Sequence, residues 1–282
     1  MAPICGVNIF VLDLKWIEPE EGYQLGPDIV NVASDYQVEK LTACGIDPGV
    51  FSGAVDPSFF IGIAIQAGVN SGISAEGAVN MVQSLEVIRP PLLDELLLVQ
   101  GRIESVNEVA RGERVETHVW FLDQKEEVVL RANRVSLRPN SISSGAGGAG
   151  LRPAPVISDI STLKQREEFR LTPDIVRNYS SEGNSIHYDE ASAKAGGFRA
   201  PIIGGGMGVH YLMAELWTAR QPSCFSCNIF FRRPIFWDDE ISVGVDPSYK
   251  VLGLLKTEGQ TKSPTKKVGT EMDLLTADFL TG

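Results

Sequence analysis

His187 sits in the run Asn184-Ser185-Ile186-His187-Tyr188-Asp189, with Glu182 and Tyr179 just upstream. A free imidazole titrates near pH ~6.5, so His187 can take or give a proton at neutral pH. Glu182, in the same loop, can share a water or a hydroxyl with it. Such a pair suits adding water to, or removing it from, a carbon–carbon double bond beside a carbonyl. A base takes the proton next to the carbonyl, and an acid protonates the departing hydroxyl. Each positioned group of this kind is worth roughly 10²–10⁴ in rate. Glu182 and His187 are therefore the candidate catalytic residues.

The reaction also needs donors for the charge that builds on the carbonyl oxygen. Gly204-Gly205-Gly206 lead into an apolar stretch that the pattern predicts as a helix over Met207–Arg220. Glycines let backbone approach a ligand closely, and free N–H groups at a helix start favour an oxyanion. Asn184 can hold a carboxylate or keep its loop in register. Asp189 either orients His187 or caps a helix over Glu190–Ala195. Tyr179 joins these as a substrate-binding candidate. The other two histidines, His118 in an alternating strand and His210 in the apolar helix, read as packing residues. Arg232 and Arg233 could meet a phosphate or pair with Asp238 or Asp239 at a strand end.

The elements that would hold this loop recur along the chain. Arg138 to Pro155 reads RPNSISSGAGGAGLRPAP, a flexible linker by composition. It divides the chain into 1–138, a linker over 139–155, and 156–282. The first part has a helical pattern over Ser58–Val69, a strand over Val79–Val87, Arg89-Pro90, an acidic turn at Asp94-Glu95 and a strand over Leu96–Ile103. The second has the Met207–Arg220 helix, a strand over Cys224–Arg232, Arg233-Pro234, an acidic turn at Asp238-Asp239-Glu240 and a strand over Ile241–Val245. Further strands are expected at Val115–Leu122, Val128–Leu137, Tyr249–Leu255 and Asp273–Phe279. A helix this apolar must be covered on nearly all sides, and alternating strands bury one face. A sheet wrapped around the helix satisfies both, so the expected class is α+β, built twice.

This arrangement resembles the hotdog fold, in which an antiparallel sheet wraps a central helix. Two such units in one chain are similar to the double-hotdog members of the MaoC-like dehydratase group, which includes type-2 enoyl-CoA hydratases. The resemblance is densest around His187, where Tyr179, Asn184, Ile186, His187, Ala193, Gly197, Phe198, Pro201 and Ile202 match the family pattern. The family's aspartate is Glu182 here, its proline after the asparagine is Ser185, and its His-Gly after Pro-Ile is replaced by the glycine triplet. The first half has no Asn-x-x-His segment; its corresponding loop over Ala43–Pro57 offers only Asp47 and Asp56. The resemblance thus implies one active site, in the second half, and a degenerate first half that shapes a binding tunnel.

What it implies for function is a hydro-lyase acting on a β-hydroxy or α,β-unsaturated carbonyl compound, either an acyl thioester on coenzyme A or a carrier protein, or a polyketide-like secondary metabolite. An isomerase or cyclase acting on an enone keeps the same site, and a non-catalytic acyl-binding protein keeps the same fold. Thioester hydrolysis, also known on this fold, fits the Asn-x-x-His motif less well.

Composition narrows the partners. The chain has 282 residues, 43% of them apolar, and a formal charge of -11. That charge repels phosphate backbones and anionic membrane surfaces, so neither nucleic acid nor membrane is expected as a partner. It also disfavours strong recognition of coenzyme A phosphates. Four cysteines are too few for a disulfide framework in a chain this long, and Cys224-x-x-Cys227 lacks the second pair or nearby histidine of a metal site. No cofactor or metal is expected. No leader or peroxisomal signal is recognisable, which makes the cytoplasm the expected location. A monomer with an internal pseudo-dimer or a homodimer are both open.

Overall fold

Two helices of the chain are too apolar to face water except along a narrow side, and the sheet is arranged around them. The structure, a computed structural model, describes residues 16–139, 153–180, 184–258 and 265–279. The first half runs β1 (Gln24–Val30), α1 (Ser34–Ala43), a 3-10 turn at Pro48–Phe51, α2 (Phe59–Asn70), β2 (Val79–Val87), β3 (Leu97–Val109), β4 (Gly112–Leu122) and β5 (Val128–Pro139). The second runs β6 (Lys164–Arg170), α3 (Pro173–Ser180), a 3-10 turn at Ser185–His187, α4 (Glu190–Ala195), α5 (Gly205–Arg220), β7 (Pro222–Phe231), β8 (Glu240–Val245), β9 (Val251–Glu258) and β10 (Thr265–Phe279). In α5 the whole run Met207–Met213 is buried, with Leu216 and Trp217 beyond it. In α2 the buried set is Phe59, Phe60, Ile61, Ile63, Ala64 and Ala67, which leaves Gln66 and Asn70 to hydrogen-bond on the outer side.

Among the described residues the strands form one ten-stranded sheet in the order β1-β3-β4-β5-β2-β7-β10-β9-β8-β6. Read inward from either edge the sequence of strands is the same, β1-β3-β4-β5-β2 and β6-β8-β9-β10-β7. The duplication seen in the residue pattern is therefore a duplication of topology, and the fold is the expected double hotdog. The seam is the antiparallel pair β2–β7, running from Val82 opposite Phe230 to Val87 opposite Phe225. Leu85 and Cys227 face each other across it, each 1% exposed. Ser84 donates to Asn228 Oδ1 at 2.7 Å on the other face. The two halves share one hydrophobic core, which includes residues from α2, α5 and the strands of both.

Several elements carry too little hydrophobic pattern to be read from sequence. Strand β6 is KQREEFR, an outer strand exposed at most positions, and its charges suit an unpaired edge. Helices α1 and α3 are short, and α1 buries the polar Gln37 and Lys40 beside Leu41. The expected linker falls mostly on residues 140–152, outside the described residues. At its ends, Pro139 closes β5, and the Pro153 and Ala154 carbonyls accept from the Arg232 guanidinium.

That guanidinium requires a correction. Arg232 pairs with Glu271, and Arg233 donates to the Val268 carbonyl, rather than either meeting Asp238 or Asp239. Those two carboxylates are taken by Arg199, at 2.8 and 2.9 Å, and Asp239 also by Lys256. Arg232 and Arg233 follow the end of β7 and reach across to β10, whereas Arg199, from the loop before α5, meets the acidic turn. His118 lies on β4 between Glu104 and Glu116, half-buried, in an ion-pair setting rather than an apolar one. Burial pushes the thiols of Cys44 and Cys227 up to about 12, so both are unreactive near neutral pH.

Because Leu85 fills the core at the seam, Leu85→Ala should cost about 2–5 kcal/mol of stability. It should do so within a single denaturant transition for both halves. A loss below about 1 kcal/mol, or two separated transitions, would contradict a shared core.

Candidate active site

The loop around His187 is built from short, locally determined pieces. Asn184 caps the 3-10 turn, its side-chain oxygen accepting from the Ile186 N–H at 3.2 Å. Of the two roles open to Asn184, the structure shows the one that keeps the loop in register. Asp189 caps α4, accepting from the Ser192 N–H at 2.7 Å, and these donors hold its carboxyl below the usual range. Its carboxylate serves the helix and not the imidazole. Helix α4 then buries Ala193, fully enclosed, and ends in a turn at Gly197 with φ of +82°. A side chain is strained in that conformation, which explains the motif glycine. The turn returns the chain through Phe198, whose N–H bonds the Ala193 carbonyl, toward Pro201 and Ile202.

Ile202 is the brace of the site. Its N–H donates to the Ile186 carbonyl at 3.3 Å, and its own carbonyl accepts from His187 Nδ1 at 2.9 Å. A carbonyl can only accept, so Nδ1 carries the proton and Nε2 is left with a free lone pair. That nitrogen faces Gly204: a Cβ placed on Gly204 would lie 3.8 Å from His187 Nε2. Burial lowers the imidazole pKa, against the opposing pull of the Ile202 carbonyl. The neutral ring is thus the favoured form, with a proton acceptor aimed at the start of α5.

Gly204 is the N-cap of α5, with Gly205 and Gly206 in the first turn, two residues earlier than the expected start. The first N–H groups of a helix have no partner within it. A Cβ on Gly205 would meet the Phe231 ring at 2.9 Å, so the helix can pack this closely only with glycine there. A Cβ on Gly206 would lie 3.6 Å from the Tyr179 hydroxyl. His187, the three glycines and Tyr179 are therefore brought together at one helix end. Glu182, the second candidate catalytic residue, lies outside the described residues.

Tyr179 belongs to a network that the sequence did not suggest. Its hydroxyl lies 2.7 Å from His210 Nε2, and His210 Nδ1 lies 2.6 Å from Asp56 Oδ2. Ser58 bridges the pair, 2.5 Å from Asp56 Oδ1 and 2.7 Å from His210 Nδ1. Nδ1 donates to the Asp56 carboxylate, and Nε2 shares the second hydrogen bond with the Tyr179 hydroxyl. Burial raises the Tyr179 pKa well above the ordinary phenol value. Asp56, Ser58 and His210 are all enclosed, so this chain ties the start of α2 to α5 and α3. His210 is therefore a hydrogen-bonded residue at the junction of the halves, beyond the packing role expected of it. The signal available in sequence was polarity out of place: Asp56 and Ser58 in VDPSFF, and a histidine in an apolar helix, must find partners once buried.

The first half keeps the frame of this site without its imidazole. Asp47 caps the 3-10 turn at Pro48–Phe51 as Asn184 caps its own, accepting from the Gly49 N–H at 2.9 Å. Three residues after the cap stands Val50, where the second half has His187. The isolated bridges Ala54–Leu92 and Ile202–Phe236 also correspond. Among the described residues no group of side chains could hold a metal ion, and no helix is long and apolar enough to cross a membrane.

Comparison with known proteins rests on structure. No protein-family profile matches the chain, and no curated protein sequence does. Among solved structures, a MaoC-like dehydratase from Phytophthora capsici superposes with a TM-score of 0.64 at 18% identity, covering 88% of this chain and 95% of that one. HtdX of Mycobacterium tuberculosis gives 0.61 at 16%, covering 88% and 99%. The peroxisomal multifunctional enzyme type 2 of Drosophila melanogaster gives 0.63 at 19%, covering 89% of this chain and 48% of that longer one. An acyl-ACP thioesterase from Bacteroides thetaiotaomicron also matches, with a TM-score of 0.54 at 10% identity. At these identities the likeness is one of fold. The chain is a double hotdog, sharing the architecture of the MaoC-like dehydratases.

Proposed function

We propose that this protein is a hydro-lyase that hydrates or dehydrates a β-hydroxy or α,β-unsaturated carbonyl compound at His187. The observation that carries the reading is the orientation of the imidazole: Nδ1 is bound by the Ile202 carbonyl, and a free Nε2 faces the glycine start of α5. In the hydration direction, His187 Nε2 takes a proton from water as its oxygen attacks the β-carbon. Glu182, two positions before the capping Asn184, supplies the carboxylate that accepts a hydrogen bond from this water and orients it, and the imidazolium formed on His187 hands the proton on to the α-carbon. The N–H groups of Gly205 and Gly206 receive the negative charge on the carbonyl oxygen. Losing one such donor typically costs about 3–4 kcal/mol of transition-state stabilisation.

The neighbours with a dehydratase name support this reading, and the thioesterase among them marks the alternative. An acyl thioester is the substrate class we favour. A glutamate in place of the family's aspartate adds one methylene, and a shift of about 1 Å at a reacting group can cost about 10²-fold. The enzyme is therefore expected to prefer a substrate other than a simple fatty enoyl thioester, such as a polyketide-like one.

The test is loss of enoyl absorbance when a crotonyl thioester is incubated with the protein. His187→Ala should lower this rate by about 10²-fold or more while the denaturation midpoint stays near wild type. Undiminished turnover would sink the assignment. The pH profile is a separate check. His187 acts as a neutral base and burial lowers its pKa, so protonation and loss of kcat/KM come at lower pH than for a free imidazole. The acid limb should have its midpoint below ~6.5. A midpoint clearly above that value would contradict the assignment.

A further inference from the structure

The start of α5 is flanked by a second set of polar groups besides His187. Tyr179, from the end of α3, faces Gly206 as His187 faces Gly204: a Cβ on Gly206 would lie 3.6 Å from the Tyr179 hydroxyl. Behind that hydroxyl stands His210 Nε2 at 2.7 Å, and Asp56 of the first half lies 2.6 Å from His210 Nδ1. The Asp56 carboxylate also receives the Ser58 hydroxyl and the Ser58 N–H. Another first-half group grips the backbone of the same tyrosine. Lys40 Nζ, from α1, donates to the Tyr179 carbonyl at 3.1 Å and lies over the Tyr36 and Tyr179 rings.

Asp56 and His210 are fully enclosed, Ser58 and Lys40 nearly so, and Tyr179 is the member of the set that is only partly buried. Enclosing charged groups is costly, and well-packed apolar residues of similar volume often hold a core as firmly. An apolar pair at 56 and 210 would join the halves without that cost. It would not fix the direction of a phenol hydroxyl, whose proton otherwise rotates to suit its surroundings. With Nδ1 bound to Asp56, a proton on Nε2 can be offered to the phenol oxygen, Asp56 being the counter-charge. The O–H is then directed away from His210 and is left for a ligand seated at Gly206.

We propose that Asp56 and His210 are positioning residues of the active site, setting the Tyr179 hydroxyl as a hydrogen-bond donor to the carbonyl oxygen of a substrate seated on the first turn of α5. Tyr179 thereby joins the N–H groups of Gly205 and Gly206 in receiving the charge that builds on that oxygen. Lys40 fixes the helix end that carries the tyrosine. The first half thus contributes to the chemistry through this chain, although Val50 stands where the second half has His187. The proposal rests on the reading of the α5 start as the carbonyl site.

The test reads the carbonyl directly. A 4-dimethylaminocinnamoyl thioester of N-acetylcysteamine absorbs at longer wavelength when its carbonyl oxygen accepts hydrogen bonds, and no turnover is needed to see this. Wild type should shift the bound probe to the red, Tyr179→Phe should lose about half of that shift or more, and His210→Leu should match it. His210→Gln, which keeps an N–H for the phenol, should recover part. On a crotonyl thioester, Tyr179→Phe should lower kcat by about 10²-fold with KM changed less than about threefold. A purely structural clamp would lower the melting temperature and leave the red shift intact. A wild type that leaves the probe unshifted, or a Tyr179→Phe that keeps the full shift, would overturn the proposal. A shift that depends on Tyr179 in a protein that does not hydrate the crotonyl thioester would uphold it and sink the hydro-lyase reading instead. Tyr179→Phe decides the matter if a His210 variant does not fold.

Discussion

An apolar helix has to be covered along most of its length. Helix α5 is buried from Met207 through Met213, and its half-buried glycine start carries N–H groups with no partner within the helix. Donors at a helix start need no reorientation to meet a ligand, because the helix already sets their direction. Glycine at 205 is what lets this start sit against Phe231, while His187 faces Gly204 and Tyr179 faces Gly206. The sheet, its seam and the short capped turns all follow from covering this helix and its counterpart α2.

The two halves solve the same burial problem and differ where chemistry is concerned. Each has a capped 3-10 turn leading toward the start of its central helix, but Val50 stands in the first half where His187 stands in the second. At the helix start, Ser58 takes the place of Gly204 and turns inward to Asp56 and His210. The first half thus lacks the imidazole and carries a buried hydrogen-bonded clamp. Polar groups in such a buried network strengthen one another when all are satisfied, and here the clamp fixes Tyr179 beside the glycines of the other half.

How much could be read without coordinates follows the same physics. The central helices and most strands were legible because burial writes itself as apolar runs or alternation; Val79–Val87 agrees residue for residue, and α5 begins only two residues before its expected start. Elements α1, α3, β1 and β6 were not, since polar edge strands and short helices carry no such period. At the site, the motif around His187 could be placed because each member has a local reason: the cap of Asn184, the left-handed turn at Gly197, the brace of Ile202. The Tyr179–His210–Asp56 chain could not, because its members lie far apart in sequence and meet only when the two halves pack. Asp189 illustrates the remaining ambiguity, since the same position suits a helix cap or a partner for the imidazole, and only the fold shows it capping α4.

The central claim is that His187 directs water to a carbon–carbon double bond and not to the thioester carbonyl. The fate of the water oxygen decides between these. A crotonyl thioester incubated with the protein in heavy-oxygen water should yield an intact 3-hydroxyacyl thioester labelled on the β-carbon hydroxyl, with formation abolished by His187→Ala. Label in a released carboxylate, with the double bond untouched, would contradict the account and show that the site cleaves thioesters.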